Sequence, residues 1–192
     1  MVKKGVTTLS AEKVLSLVKE NRELMQILGI IEKLNLAQAC LCAGAIRNLV
    51  WNDVCGQPQT IVSDLDVIFY EPTISYAATL AIEAELQTNC PDYQWEVKNQ
   101  VYMHHHHPGA LPYRSVVDAL AHFPENCTAI AVRKVGAELA LIAPYGVSDL
   151  FNLEVKPTPI FRASPEKMLV YKKRLAAKNW SQTWPKLKIS FT

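Results

Sequence analysis

The sequence lacks several features that would fix its class at once. None of its apolar runs approaches the roughly 18–20 residues needed to cross a bilayer. Its first residues, MVKKGVTTLSAEK, contain no apolar segment of the kind found in signal peptides. It has no internal repeat, and a run of histidines is its one biased tract. We therefore expect a cytoplasmic protein without a membrane partner.

Cysteine is scarce and follows no recognisable pattern. The five cysteines are an odd number and include no Cys-x-x-Cys pair. This distribution indicates neither a disulfide framework nor a zinc knuckle. We expect reduced and mostly buried thiols.

The chain has enough residues and apolar content for a folded domain. Its 192 residues are 49% hydrophobic and 20% charged, which is typical of a globular protein with a core. We expect a single domain over residues 1–192. Its expected parts are N-terminal helices (10–34), a core that carries the candidate chemistry (39–99), an extension of the sheet (100–155) and a basic C-terminal helix and tail (156–192).

The net charge of +2 hides an uneven distribution. Residues 156–192 contain nine Lys or Arg and one acid, for +8, which leaves −6 for residues 1–155. A basic tail on an acidic body is consistent with a phosphate-rich partner. The alternative is a solvated helix face that happens to be rich in lysine.

The hydrophobic pattern predicts an α/β (α+β) fold. Strands alternate with helices from residue 39 onward, which indicates a small mixed sheet with helices packed against one face, extended by a β-hairpin and a C-terminal helix. The predicted helices span residues 10–20 (capped by Ser10), 21–34 (capped by Asn21), 44–55, 74–90, 116–122 (capped by Ser115) and 165–180, and the predicted strands span 39–43, 64–71, 93–99, 128–135 and 138–143.

Asp64 and Asp66 are the first candidate site residues. Residues i and i+2 of a strand project from the same face, about 6.5–7 Å apart along the chain. Two carboxylates in one small space repel unless a cation lies between them, and an oxygen-ligated divalent ion such as Mg²⁺ is the usual solution. The alternative is an exposed strand end with two solvated acids.

Glu96 and Lys98 are candidates on the strand predicted over residues 93–99. If that strand lies beside the strand of Asp64 and Asp66, the Glu96 carboxylate can complete an acidic triad. Lys98 would share its face and could counter the acids or contact a phosphate. The alternative for Glu96 is an ordinary edge-strand residue.

A turn before the third helix offers a phosphate site. Gly44 lets the backbone approach a ligand, and the N–H groups that open the helix attract anions. Arg47, one turn into the helix, can reach back toward the same ligand. Core packing is the alternative for an isolated Gly-x-x-Arg.

Two further segments contain candidates near the middle of the chain. Arg114, just before a helix start, could bind a phosphate through two parallel hydrogen bonds or merely pair with Asp118. The run from His104 to His107 suggests metal binding, but four consecutive side chains cannot all point one way, and no Cys or acid lies at ligand spacing.

An ordered set of motifs resembles a known group of proteins. A Gly-small-x-x-Arg turn that opens a helix, followed by a strand that begins Asp-x-Asp, resembles the polymerase-beta-like nucleotidyltransferase superfamily. More closely, a bacterial nucleotidyltransferase-like family of uncharacterised substrate is similar over roughly residues 35–185, through AGAIRN, SDLDVIFYE, WEVKNQ, MH, PYRS, APYGVSDLF and the closing W…WP.

The resemblance implies transfer of a nucleoside monophosphate from an NTP to an unidentified hydroxyl, with Mg²⁺ or Mn²⁺ as cofactor. The acceptor would be a small molecule, an RNA or a protein. It implies a third carboxylate at Glu96 and a site-facing role for His104. The expected metal ligands and catalytic residues are Asp64, Asp66 and Glu96, and the expected nucleotide-binding residues are Gly44, Ala45, Arg47, Ser63, Lys98 and Arg114.

The sequence departs from the superfamily pattern at Ala45, where a second Gly or a Ser is commoner. Ala45 has no hydroxyl to offer a γ-phosphate. A non-catalytic nucleotide-sensing or RNA-binding module of the same fold is therefore one alternative, and a toxin-like tRNA modifier is another.

Overall fold

The computed structural model describes residues 3–60, 64–106 and 111–191. The strands are β1 (Cys40–Cys42), β2 (Leu65–Phe69), β3 (Trp95–Asn99), β4 (Ala131–Val135), β5 (Glu138–Ile142), β6 (Glu154–Val155) and β7 (Lys188–Ile189). The helices are α1 (Lys3–Glu20), α2 (Arg22–Lys33), α3 (Gly44–Cys55), α4 (Tyr76–Asn89), α5 (Gln100–Met103), α6 (Val116–Ala121), α7 (Ser148–Phe151), α8 (Pro159–Arg162), α9 (Pro165–Lys178) and α10 (Trp180–Thr183), with a 3₁₀ turn at His104–His106.

The predicted mixed sheet is confirmed. Five strands lie in the order β3-β2-β1-β4-β5, with β2 and β3 parallel and the other neighbours antiparallel. Helix α4 connects the parallel pair. The predicted hairpin joins β4 to β5, with Val135 opposite Glu138 and Gly136 at φ +60° in its turn. Strands β6 and β7 form a separate parallel pair.

Alternation along the strands divides the core between the two faces of the sheet. Leu41, Val67 and Val132 belong to the main core, which includes buried residues of α2 and α3. The opposite face carries a smaller apolar cluster that includes residues of α6. The prediction placed helices against one face of the sheet, and short α6 covers part of the other face as well.

Two of the three predicted helix caps are confirmed. The Asn21 side chain accepts from Leu24 N at 3.0 Å, and the Ser115 hydroxyl accepts from Asp118 N at 3.1 Å. The Ser10 cap was wrong, since α1 begins at Lys3. No proline interrupts residues 3–10, so the helix continues upstream of Ser10.

Helix α9 ends earlier than predicted. The sequence predicts Tyr171, Leu175 and Leu169 against the body and Arg174 outside. Tyr171 and Leu175 are buried as predicted, while Leu169 and Arg174 are not placed as predicted. Asn179 adopts a left-handed conformation (φ 48°), which ends α9 and separates it from α10. Leu169 is 60% exposed, although the pattern placed it against the body. Arg174, predicted to point outward, instead pairs with buried Glu125.

Residues 128–130, predicted as the start of a strand, form a turn. The backbone N–H groups of Thr128 and Ala129 both donate to the carbonyl oxygen of Glu125. The Thr128 hydroxyl also bonds to Glu125. These local hydrogen bonds satisfy the backbone before β4 begins at Ala131.

The C-terminal segment docks on α3 through tryptophans. Trp51 is fully buried and meets Trp180 and Trp184 edge-on, with ring centroids 5.7 and 5.0 Å away. Trp184 Nε1 donates to Asn52 Oδ1 at 2.9 Å. The sequence predicts that Trp180 and Trp184 dock the tail onto the body, and these contacts confirm it. Among the described residues, no helix combines the length and apolar character that crossing a bilayer requires.

Candidate active site

A row of side chains crosses the sheet on the face opposite the main core. Asp66 of β2 pairs in register with Glu96 of β3 and, on its other side, with Cys42 of β1. Side chains in register on neighbouring strands share a face. Asp66 and Glu96 therefore lie side by side, and the strand adjacency on which the expected triad depended is present.

Lys98 lies next to both carboxylates. Its Nζ donates to Glu96 Oε2 and is 4.0 Å from Asp66 Oδ1. Burial opposes the charge of Lys98, but the hydrogen bond and charge of Glu96 and the charge of Asp66 outweigh burial and raise the pKa of Lys98. The lysine is thus held as an ammonium against the acids.

Asp66 carries the perturbed carboxyl of the group. Burial raises its pKa, and the negative charges of Glu96 and Asp64 act in the same direction, although Lys98 opposes them. Asp64, half-buried, immediately precedes β2 and lies close enough to act on Asp66. An additional positive charge near Asp66 would be stabilised by this arrangement.

Cys42 completes the row but is not a nucleophile. Burial raises its pKa well above the ordinary value, and the charge of Asp66 adds to the effect. The thiol therefore stays protonated at neutral pH.

A cavity of about 480 Å³ opens above the row. Among the described residues, its ionised lining consists of Asp66, Lys98 and Arg174, with His106 as a further titratable group. The remaining wall is largely apolar or aromatic. Its other lining residues are Cys42, Ala43, Ile68, Gln100, Met103, Tyr113, Phe123, Pro124 and Thr128.

The amino end of α3 borders the same cavity. Ala43, which lines it, adopts φ 51° and donates its N–H to Ile130 O at 2.9 Å. No side chain at Ala43 caps the helix, and within the described ranges nothing accepts from the N–H groups of Gly44 and Ala45, which leaves them for a ligand or solvent. This helix start lies at the same cavity as Asp66, while its phosphate-binding role stays a prediction.

Arg47 is buried behind the site. Its guanidinium lies 4.3 Å from the Trp180 ring centroid and 5.0 Å from that of Trp51, and Nη2 donates to Asn48 Oδ1 at 2.7 Å. Burial lowers the pKa of Arg47. Arg47 is not among the described residues that line the cavity, so its predicted contact with phosphate requires that the side chain leave this stack.

Arg114 pairs with Asp118, which was the second of the two alternatives for this residue. Its side chain is 87% exposed, and both its backbone N–H and its Nε donate to Asp118 Oδ2, at 3.0 and 3.3 Å. Ser63, another expected nucleotide-binding residue, lies outside the described residues. Arg114 is not among the described residues that line the cavity.

The histidine run contributes at a different position from the one expected. His104 stacks on His105 with centroids 3.9 Å apart and lies 6.3 Å from Tyr113. Its buried Nδ1 has no hydrogen-bond partner among the described residues. His106, which had no assigned role, lines the cavity instead.

Sequence reasoning also missed Arg174. The residue lies three positions after buried Tyr171 and one before buried Leu175, so helical spacing alone places it on the inner side of α9. Its charge suggested the opposite. The buried partner that draws it inward, Glu125, is 49 residues away in the chain.

The donor chemistry of the row fits a hard divalent cation. Asp66 and Glu96 offer neighbouring carboxylate oxygens, and Asp64 is the nearest additional acid in the chain. Within residues 3–60, 64–106 and 111–191, no three His, Cys, Asp or Glu side chains are grouped as a ready metal cage. A cation bound by these acids would take the place that the Lys98 ammonium holds against Glu96.

The fold and the site together define a class. A mixed sheet carries two adjacent carboxylates, a helix start borders the same cavity, and basic side chains lie around it. This is the architecture of a nucleotidyl-transferring domain.

Comparisons with known proteins agree with that class. The profile of a nucleotidyltransferase family matches residues 29–189, and the chain belongs to this family. A solved structure that is 40% identical in sequence matches with a TM-score of 0.87 over 94% of this chain and 96% of that chain. It is described as an NMR structure that reveals a CCA-adding enzyme head domain. No curated protein matches the chain.

Proposed function

We propose that this protein transfers a nucleoside monophosphate from an NTP to a hydroxyl acceptor, with a divalent cation bound by Asp66 and Glu96 and assisted by Asp64. The observation that carries the proposal is the in-register placement of Asp66, which lines the cavity, beside Glu96 on the neighbouring strand. Family membership supports the class of reaction.

Transfer of a nucleotidyl group depends on charge neutralisation and alignment more than on covalent chemistry. When bound, Mg²⁺ or Mn²⁺ would neutralise the triphosphate and lower the pKa of the acceptor hydroxyl. Asp66 and Glu96 hold their carboxylates on one face for this purpose, and Asp64 adds negative charge beside them.

Side chains and backbone N–H groups of the protein supply the other functions that the reaction needs. Glu96 accepts the proton of the acceptor hydroxyl. The hydroxyl oxygen forms a bond to the α-phosphorus, and the bond from that phosphorus to the departing pyrophosphate breaks. The first N–H groups of α3, at Gly44 and Ala45, gather the negative phosphates. Lys98, released from Glu96, pairs with a phosphate oxygen. The apolar wall of the cavity limits access of water.

Calorimetry tests the binding half of the proposal. Wild-type protein should bind an NTP in a manner that depends on Mg²⁺ or Mn²⁺, and Asp66→Asn should abolish that dependence. Asp92→Asn, an exposed aspartate in a turn, is the matched control. Unchanged nucleotide binding by Asp66→Asn would contradict the proposal.

Turnover is tested separately. The protein is incubated with α-labelled NTPs, Mn²⁺ or Mg²⁺ and a cell extract, and labelled product and pyrophosphate are measured. Glu96→Gln should abolish both signals, while Glu85→Gln on the exposed side of α4 should retain them. Label transfer by Glu96→Gln at the wild-type rate would remove Glu96 from the proposed centre.

One observation favours a second candidate, a nucleotide-binding module without turnover. Lys98 is hydrogen-bonded to Glu96 and lies near Asp66, so the protein already supplies a positive charge where a cation would act. Nucleotide binding without label transfer, at every metal and extract tried, would select this candidate.

A further inference from the structure

Glu125 is a fully buried acid that is paired with one arginine and hydrogen-bonded by one hydroxyl. It is 0% exposed and accepts from the Thr128 hydroxyl at 2.7 Å and from Arg174 Nε at 2.8 Å. A buried carboxylate is tolerated only when it is paired and hydrogen-bonded. Glu125 therefore fixes Arg174 through a single guanidinium nitrogen.

The rest of the Arg174 guanidinium is left for the cavity. Its side chain is 36% exposed and lines the cavity opened by Asp66 and Lys98. Among the described residues, no hydrogen-bond partner is found for its two terminal amino groups. A planar guanidinium with Nε anchored can still present both terminal nitrogens to an anion.

The neighbourhood of Arg174 is positively charged. Lys178, one turn further along α9, is close enough to Asp66 to lower the pKa of that carboxyl. Arg47 lies within electrostatic range of both Arg174 and Asp66. Arg174 and Lys178 of α9 thus bring positive charge toward Asp66, which suits a ligand whose anionic chain extends away from a carboxylate-bound cation.

We propose that Arg174 binds the polyphosphate chain of the nucleotide, so that α9 contributes a substrate-binding residue to the site. This inference rests on the proposed function and deepens it. Ala45 offers no hydroxyl to the terminal phosphate, and Arg174 supplies charged donors from the lining of the cavity. The role of Glu125 is to position Arg174, since it contacts the guanidinium and not the ligand.

The test measures binding of ATP, CTP, GTP, UTP and inorganic tripolyphosphate, each with Mg²⁺, by calorimetry. Arg174→Lys keeps a charge for Glu125 but loses the planar fork, so the triphosphates and tripolyphosphate should bind about tenfold more weakly. Binding of the corresponding nucleosides should not change. Arg162→Lys, at an exposed arginine that ends α8, is the matched control and should bind as wild type does.

A second measurement covers the case in which Arg174→Lys fails to fold. In wild-type protein, the NMR signal of Arg174 Nε–Hε should shift on addition of tripolyphosphate with Mg²⁺, while that of Arg162 should not. An unmoved Arg174 signal overturns the inference.

The outcomes separate the inference from the function on which it rests. If Asp66→Asn abolishes binding of the triphosphates and a folded Arg174→Lys binds them as wild type does, only the role of Arg174 is overturned. If Arg174→Lys weakens binding of an RNA oligonucleotide but leaves NTP binding unchanged, Arg174 contacts a phosphate of the acceptor. That result also overturns the inference. A wild-type protein that binds none of the triphosphates overturns both proposals.

Discussion

At the scale of single residues, Asp66 shows a conflict between folding and chemistry. Burial raises its pKa, and Glu96 and Asp64 add negative charge around it. A carboxyl whose pKa is higher in the folded state binds its proton more tightly there than in the unfolded chain. Ionised Asp66 therefore lowers the free energy of unfolding, and this loss appears as the pH rises from below its ordinary pKa through the raised one.

Asp66→Asn should accordingly raise the melting temperature at pH 7. Asparagine has nearly the same shape and carries no charge to desolvate, and functional groups commonly lower stability in this way. The gain should shrink at acidic pH, where Asp66 is protonated. Thermal melts of Asp66→Asn and Asp92→Asn across this pH range provide the check, and a destabilised Asp66→Asn at pH 7 would show that Lys98 already compensates the charge.

The sequence was sufficient for some site residues and insufficient for others. Alternation in a strand placed Glu96 and Lys98 on one face, and a strand partner then brought them to Asp66. Arg174 was assigned to the outer side because of its charge, although helical spacing places it near buried Tyr171 and Leu175. The sequence does not show that Glu125, a residue 49 positions away, is the partner that keeps this charge inside.

At the scale of elements, one acid ties α2 to the hairpin of β4 and β5. Glu32 accepts from Lys134 Nζ and from the Gly136 backbone N–H. The hydrogen bond from Lys134, followed by that from Gly136, lowers the pKa of Glu32. The ionised carboxylate therefore stabilises the fold above its ordinary pKa, and this stabilisation is lost as the pH falls through the lowered value.

Glu32→Gln should destabilise the protein at pH 7 and become equivalent to wild type at low pH, where Glu32 is neutral. Chemical denaturation at several pH values measures the difference. Glu85→Gln, on exposed α4, should show no such pH-dependent gap. A gap that stayed constant with pH would mean that packing, and not charge, underlies the contact.

The packing of α3 against the C-terminal segment depends on tryptophan. Trp184→Ala removes an edge-on contact with Trp51 and the hydrogen bond to Asn52, so we expect a loss of about 3–5 kcal/mol in the free energy of unfolding. Leu169→Ala, at a 60% exposed site, should stay within about 0.5 kcal/mol of wild type. Urea denaturation distinguishes them, and equal effects would contradict the assigned packing.

The sequence predicted which helices and strands form better than it predicted which face of each one is buried. Asn21 and Ser115 each cap a helix by accepting a hydrogen bond from the backbone N–H three residues on. The signal for these two helix starts is therefore local in the sequence. The inner face of α9 depended on what lies opposite it, and the pattern placed Leu169 inward where the structure leaves it exposed. Residues 128–130 were predicted as strand but form a turn. Thr128 bonds to Glu125 there instead of pairing with a neighbouring strand.

At the scale of the whole molecule, the charge is divided between an acidic body and a basic C-terminal part. Exposed lysines of α9, including Lys172 and Lys173, lie on the basic part. If the acceptor is an RNA, its binding should weaken steeply with salt, whereas a small acceptor should show little dependence. Replacing both lysines with glutamine should reduce the slope of log affinity against log salt by about 2.

Filter binding of tRNA over a range of salt concentrations measures this slope. An RNA that binds equally at low and high salt, or a slope unchanged in the double variant, would show that the basic C-terminal part does not contact phosphates.

The central claim is that Asp66 and Glu96 bind a cation beneath a nucleotide. Its most direct test is a crystal structure of the protein with Mg²⁺ and a non-hydrolysable NTP. We predict Mg²⁺ at about 2.1 Å from oxygens of Asp66 and Glu96, with Lys98 moved from Glu96 to a phosphate. A nucleotide bound elsewhere, or bound with Lys98 still paired to Glu96 and no metal between the acids, would contradict the account.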